Sequence, residues 1–295
     1  MTNRELLEGG IARLREAGMI DAETDARILF EHLTGLGRSD MLLKGDGEAS
    51  DSAADEYEAL IDRRLSHIPV QYITGIADFM GLRFLVNKNV LIPRLDTEFL
   101  VEEMLREVGD GSSVLDMCTG SGCILISLMR YKNGIKGVGV DVSEEALDTA
   151  RKNAERILGF RDTEPSRGTV EGADWVLSDM FEKVTGTYDH IVSNPPYIKS
   201  GVTEGLMPEV ADHEPRSALD GGVDGLDFYR IIAREAPAYL NRHGRLYLEI
   251  GFDEAEAVTE LLRDGGFTEI EALRDYSGNY RVIKCVYSPK GDHHV

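Results

Sequence analysis

Val114-Leu115-Asp116-Met117-Cys118-Thr119-Gly120-Ser121-Gly122, with the apolar run from Cys123 to Met129 behind it, is the stretch that decides the fold. An apolar pair runs into a turn carrying Gly120 and Gly122, and a helical pattern leaves it. Glycine lets a backbone turn tightly and come close to a ligand, and a helix start presents unpaired N–H groups to a carboxylate or phosphate. Strand, glycine turn and helix are the first part of a parallel α/β unit. The downstream chain repeats that alternation. Gly137-Val138-Gly139-Val140 reads as a second strand closed by Asp141, and Ser143 caps a helix reaching about Leu158. Residues 160–173 are polar and carry no clear pattern. Trp175-Val176-Leu177 and His190-Ile191-Val192 read as the third and fourth strands. A helix over Leu226–Leu240, with Pro237 near its end, precedes a fifth strand over Arg245–Ile250 and a helix from about Asp253 to Leu262. Residues 268–273 and 281–287 close the chain as a pair of strands. The expectation is a doubly wound, mostly parallel sheet.

Upstream, the pattern is different. Thr2 and Glu5 have capping-box spacing ahead of Leu6, Leu7, Ile11 and Leu14. Asp21 is placed to cap a second helix that stops near Gly35, and Ser52 a later one through Tyr57, Ile61 and Leu65. Residues 1–67 therefore read as a small all-helical domain suited to recognition or support. Around Gly81, Ile73, Ile76, Phe79, Leu82, Phe84 and Val86 alternate as strands do, so 68–92 reads as a β-hairpin linker. A helix with an acidic first turn starts at Arg94-Leu95-Asp96-Thr97-Glu98 and opens the α/β domain, 93–295.

Two motifs carry chemistry. Asp141, at the end of the second strand, can grip the two hydroxyls of a ribose, and the glycine turn faces the same edge of the sheet. Only Gly120 and Gly122 of a three-glycine dinucleotide fingerprint are present, with Cys118 where another would stand. That favours S-adenosylmethionine, which has no pyrophosphate to cradle, over NAD. The second motif is Asn194-Pro195-Pro196-Tyr197, at the end of the fourth strand. The Asn194 side-chain carbonyl and the Pro195 backbone carbonyl can each accept a hydrogen from a planar –NH2 group. Prolines add no donor of their own, and Tyr197 can cover a flat group against water. Strands one and four are neighbours in this architecture, so a sulfonium methyl from the first motif can face a nitrogen held by the second.

Bulk properties narrow the class. The chain has 295 residues, a formal net charge of −21 and 42% apolar residues, enough for a sizeable core. Such acidity argues against a broad nucleic-acid footprint, which needs clustered Lys and Arg. The three cysteines, Cys118, Cys123 and Cys285, make no disulfide framework and suit a reducing cytoplasm. The N-terminus lacks an apolar signal-peptide core and no run is long enough to span a membrane, so a soluble cytoplasmic protein is expected. No metal motif and no Ser/His/Asp set stands out.

Further stretches resemble one family closely. They are Pro69 to Gly75, Val90 to Arg94 with Asp96-Thr97-Glu98, the glycine loop with Cys123-Ile124, Ile191 to Ile198, Glu214 to Gly222 with Asp224 to Asp227, and Leu248-Glu249-Ile250-Gly251. In these the chain resembles the bacterial release-factor glutamine N5-methyltransferases, the HemK/PrmC family. The likeness runs from about residue 65 to the C-terminus, and the helical N-terminal domain fits it. It implies a Rossmann-like class I methyltransferase sheet over 93–295 and a substrate-recognition role for 1–67. It implies methylation of the glutamine in the Gly-Gly-Gln loop of peptide chain release factors, and a monomer without sequence-specific nucleic-acid or membrane partners is expected. It assigns Cys118, Thr119, Gly120, Ser121, Gly122, Asp141, Met180 and Asn194 to S-adenosylmethionine, and Asn194, Pro195, Pro196 and Tyr197 to the target amide. Arg94, Glu214 and Arg216 are placed to order the substrate loop. Cys118 stands for a common glycine and Leu95 for a common proline, and Asp275 to Arg281 match the family pattern loosely. The Asn-Pro-Pro-Tyr motif is shared with methyltransferases of adenine and cytosine amino groups in DNA or RNA, which remain the alternative.

Overall fold

A computed structural model describes residues 1–159 and 172–288, which separate into two compact units: Met1–Ile76 with Met207–His213, and Ala77–Leu206 with Glu214–Val295. The tail histidines His293 and His294 and most of the unassigned 160–173 stretch lie outside the described residues.

The first unit is helical: α1 (Asn3–Glu16), α2 (Ala22–Thr34), α3 (Arg38–Lys44), α4 (Asp51–Leu65) and α5 (Val70–Thr74). The capping box forms as spaced, with the Thr2 hydroxyl accepting from Glu5 N at 3.1 Å and the Glu5 carboxylate from Thr2 N at 2.8 Å. Leu6, Leu7, Ile11 and Leu14 face inward as their spacing requires. Tyr57 is fully buried and donates to the Ala26 carbonyl at 2.9 Å. Gly10 makes room for it: a Cβ there would lie 2.5 Å from the Tyr57 hydroxyl.

Two expected caps differ. Asp21 occupies the cap position of α2 but its side chain makes no cap bond. Ser50, not Ser52, caps α4 by accepting from Ala53 N, and Ser52 sits inside the helix bonded to Glu56. Both serines precede the same apolar face, so spacing alone does not choose between them. The 68–92 stretch is strand only at β1 (Ile76–Phe79) and β2 (Leu82–Leu85), because Ile73 belongs to α5 and Gly75 ends it in a left-handed conformation.

The second unit continues with α6 (Leu95–Glu107), β3 (Ser113–Met117), α7 (Cys123–Tyr131), β4 (Lys136–Asp141), α8 (Glu144–Leu158), β5 (Ala173–Leu177) and β6 (Tyr188–Ser193). The short α9 (Pro208–Ala211) belongs to the first unit. Then come α10 (Asp227–Glu235), β7 (Leu240–Glu249), α11 (Ala255–Asp264), β8 (Phe267–Arg274) and β9 (Tyr280–Tyr287). The expected helix over 226–240 stops at Glu235. A 3-10 turn carries Pro237, which has no N–H for an α-helical bond, and β7 starts at Leu240. Between β6 and α10 the chain makes 3-10 turns at Thr203–Gly205 and Arg216–Ala218 as well as α9.

The seven-stranded sheet runs β5-β4-β3-β6-β7-β9-β8, with β9 antiparallel to both neighbours and the other pairings parallel. Side chains alternate across it. Val114 and Val192 join one core with α6 and α7, whereas Leu115 and Ile191 join the opposite core with α10 and α11. The strand order reverses between β3 and β6, with Met117 opposite Ser193. That is the crevice where ligands bind in an open parallel sheet. Among the described residues no helix is long and apolar enough to cross a membrane, and no His, Cys, Asp and Glu cluster could hold a metal ion.

Candidate active site

The loop leaving β3 is held by backbone geometry. Cys118, Gly120 and Gly122 have φ of 58°, 54° and 78°, all left-handed. Thr119 N donates to the Val140 carbonyl at 2.9 Å, and its hydroxyl to Asp116 Oδ2 at 2.6 Å. Asp116 is wholly buried with Oδ1 unpartnered, and that burial pushes its carboxyl up to about 7. The two glycines serve different ends. A Cβ on Gly120 would meet nothing within 4 Å, so its surroundings are open. A Cβ on Gly122 would lie 2.8 Å from Ile126 and 3.1 Å from Trp175, so packing of α7 on the sheet also demands glycine there.

Asp141 is locked against this loop. Its Oδ2 accepts from Gly120 N and its Oδ1 from Ser143 N, each at 2.9 Å. Burial raises its carboxyl above the ordinary value, and those backbone donors oppose the shift. Each oxygen keeps acceptor capacity for a hydroxyl. Met180, itself at φ 40°, is buried with its sulfur 3.9 Å from the Cys118 thiol. Desolvation, aided by Asp141, pushes that thiol well up and keeps it from acting as a thiolate.

The corner leaving β6 is held by side chains. Asn194 Nδ2 donates to the Thr97 hydroxyl of α6 at 3.1 Å, which turns Oδ1 away from Thr97. The Tyr197 hydroxyl donates to Glu249 Oε1 at 3.2 Å, and burial pushes its own pKa up. Behind the corner lies the Gly221–Gly225 segment. A Cβ on Gly221 would sit 2.7 Å from Tyr197 Cα, and one on Gly225 would sit 2.5 Å from the Tyr197 carbonyl. Ile198 N donates to the Leu219 carbonyl, and Gly221 N to the Ile198 carbonyl. Arg94 and Glu214 find each other at 2.5 Å, and the Glu214 carboxylate also accepts from Ile92 N. Arg216 instead forms an exposed pair with Asp220 at 3.6 Å.

Loop and corner meet on one cavity of about 350 Å³, a normal size for a small-molecule site. Its wall includes Cys118, Thr119, Gly120, Ser121, Asp141, Met180, Asn194 and Pro196, whereas Gly122, Pro195 and Tyr197 stand outside the wall. Thr97, Ser178, Ser217 and Phe228 also line it and were not singled out as site residues from sequence. Glu249 was quoted as part of a motif but given no role. Its signal was available, since a carboxylate closing the apolar run Leu246-Tyr247-Leu248 is a residue type almost never buried without a partner.

Comparison with known proteins places the chain in a family. Residues 5–75 match the PrmC N-terminal domain and residues 94–210 the methyltransferase small domain. The release factor glutamine methyltransferase of Agrobacterium fabrum is 38% identical over 277 residues, covering 92% of each chain. That of Geobacter sulfurreducens is 40% identical over 283 residues, covering 96% of this chain and 95% of its own. The crystal structure of a methyltransferase from Pyrococcus furiosus superposes with a TM-score of 0.51 at 18% identity, over 71% of this chain and 91% of its own, a likeness of fold. By its two domain matches and its full-length relatives, the chain belongs to the release factor glutamine methyltransferase family.

Proposed function

We propose that the Asn194–Tyr197 corner holds the side-chain amide of a glutamine while the Cys118–Gly122 loop, Asp141, Met180 and Asn194 hold S-adenosylmethionine in the same cavity. The reaction is methyl transfer to N5 of the glutamine in the Gly-Gly-Gln loop of a peptide chain release factor. S-adenosylmethionine supplies an electrophilic methyl on a sulfonium that leaves as a neutral thioether. The cavity suits that cofactor: Asp141 is fixed at the end of β4 with acceptor capacity for ribose hydroxyls, and the buried thioether of Met180 offers an apolar wall to a ring.

An amide nitrogen is a weak nucleophile because its lone pair is delocalised into the carbonyl. Asn194 Oδ1 and the Pro195 carbonyl each accept one of its hydrogens, which directs the lone pair and raises electron density on nitrogen. As the N5–carbon bond forms and the carbon–sulfur bond breaks, one hydrogen of the original NH2 leaves as a proton to solvent. Positioning and fixed acceptors supply the acceleration, and no strong base is required. Pro196 and Tyr197 stiffen the corner. The helical domain, 1–67, recognises the release factor, with 68–92 as connection and 93–295 as the methyltransferase domain. In this reading the chain acts as a cytoplasmic monomer without sequence-specific nucleic-acid contact.

One observation carries the reading: β3 and β6 pair directly, so the glycine loop and the Asn-Pro-Pro-Tyr corner open on one cavity. Incubation of a release factor with the protein and S-adenosylmethionine, followed by mass spectrometry, tests it. A gain of one methyl on the Gly-Gly-Gln glutamine is expected. Labelling of DNA or RNA in place of the release factor would select the nucleic-acid alternative.

A further inference from the structure

Away from the corner, a fully buried amide is used entirely on main-chain groups. Asn153 of α8 is 0% exposed. Its Oδ1 accepts from Leu85 N at 2.6 Å, and its Nδ2 donates to the Leu85 carbonyl at 3.0 Å and to the Ser121 carbonyl at 2.9 Å. Leu85 ends β2 of the hairpin, and Ser121 belongs to the glycine loop. Leu85 and Asn153 stand outside the cavity wall. Ser121 is part of that wall, and so are Asn89, Val90 and Arg94, a few residues beyond Leu85. One helical turn before Asn153, the Thr149 hydroxyl accepts from Asn87 Nδ2 at 3.0 Å. Between these two contacts Ala150 packs under the loop: a Cβ on Gly122 would lie 3.2 Å from its own. One face of α8 therefore grips both the end of the hairpin and the glycine loop.

We propose that Asn153 is a positioning residue that sets the width of the cavity at its cofactor end, by tying the hairpin and the glycine loop to one point on α8. The inference rests on the reading of that loop as the seat of S-adenosylmethionine. A carboxamide carries an acceptor oxygen and two N–H donors. Here the oxygen meets a main-chain N–H and the NH2 meets two carbonyls, so one orientation satisfies all three bonds. Rotated by half a turn, it would set its oxygen against two carbonyls and its NH2 against an N–H. Leu85 thereby finds on a side chain the donor and the acceptor that a neighbouring strand would supply. The three left-handed residues still shape the loop itself. Asn153 does not shape it. It fixes where the loop stands relative to the segment that leads into Val90 and Arg94, which the backbone of the loop cannot do alone.

Coupling of this kind runs both ways. The tie steadies the loop for the cofactor, so the bound cofactor steadies the tie. The hydrogen on Leu85 N is held by Asn153 Oδ1, and its exchange with solvent reports the tie directly. Because Leu85 is not part of the cavity wall, a cofactor seated there does not cover that amide itself. Exchange of one aspartate oxygen for the amide nitrogen makes the same point by substitution. Asn153→Asp keeps the shape, but an ionised carboxylate has no hydrogen for the Ser121 and Leu85 carbonyls and turns charge toward both of them. The two walls are then pushed off α8, and the cofactor meets a cavity of the wrong width.

The test uses the full chain and S-adenosylmethionine, comparing wild type with Asn153→Asp and Asn153→Ala. Calorimetry on the folded variants should show the Kd for the cofactor raised by ~10- to 100-fold, the scale of one or two buried carbonyls left unpaired. With a release factor and saturating cofactor, kcat should fall by less than the affinity does. In the wild-type protein, saturating cofactor should slow hydrogen exchange at the Leu85 amide by ~10-fold or more, the reciprocal of the same coupling. Folded variants with wild-type Kd, equal losses in Kd and kcat, or Leu85 exchange that ignores the cofactor would each overturn the proposal. If neither variant folds, the exchange experiment on wild type decides alone. Cofactor binding by Asp141→Ala as tight as that of wild type would instead defeat the reading of the cofactor seat on which the proposal stands.

Discussion

At the end of β3 the chain holds its glycine loop with its own backbone, through three left-handed residues and main-chain donors to Asp141 and Val140. At the end of β6 the corner is held by side chains and glycines from far along the chain: Thr97 from α6, Glu249 from β7 and the Gly221–Gly225 segment. The first site is local and survives most changes elsewhere. The second is assembled by the tertiary fold, so remote substitutions reach it. Binding a cofactor needs a shape, which one loop supplies. Presenting two acceptors in a fixed direction to an amide needs side chains that are themselves fixed.

The largest effect expected on this contrast comes from Asn194→Ala. Loss of one preorganised partner at the reacting group should lower turnover by ~10²–10³-fold, with a much smaller loss of cofactor affinity, measured by calorimetry, because Asn194 is only one of several residues assigned to the cofactor. Comparable losses in both would erase the distinction between loop and corner. Gly225→Ala comes next. At φ +83° its new Cβ would press on the Tyr197 carbonyl and on Glu254, which should destabilise the protein by about 1–3 kcal/mol in urea unfolding and slow turnover with it.

Glu254 sharpens the comparison through pH. It is buried, bonds Gly251 N at 2.9 Å, and has its carboxyl raised from 4.5 to about 7, burial being the main cause. The unfolded glutamate loses its proton near 4.5 while the folded one keeps it until about 7, so wild type loses stability as pH rises through that window. Glu254→Gln has no such loss. Its unfolding free energy relative to wild type should climb between those two values and level off above them; a flat difference would remove the buried carboxyl from the account. The smallest effect belongs to the loop. Cys118→Gly relieves a left-handed non-glycine residue and should add up to about 1 kcal/mol of stability, read as a rise in Tm.

How much of this was legible from sequence follows the same division. The sheet, its helices, the Thr2–Glu5 cap and the glycine loop are encoded by neighbours a few residues apart, and they stand where their periodicity and spacing put them. The misplacements were also local: Ser52 for Ser50, and a helix carried through Pro237. The partners of the corner were not legible, because Thr97 meets Asn194 and Glu249 meets Tyr197 only after three separate elements pack together. Nor was the division of labour between Gly120 and Gly122, which depends on Trp175 and Ile126 standing behind one and open space in front of the other. Cys118 shows the reverse case. It departs from the expected glycine, yet the backbone still adopts φ 58° there, so the fold imposes the turn at a cost in strain.

The most direct measurement of the central claim uses a release factor whose Gly-Gly-Gln glutamine is replaced by glutamate, assayed for methyl transfer beside the natural sequence. The paired acceptors of Asn194 and Pro195 have no N–H to hold in a carboxylate, so the altered protein should take up no methyl at that position while the natural one is methylated there. Equal methyl incorporation into both proteins would mean that the corner does not select an amide, and the assignment of the site would fall.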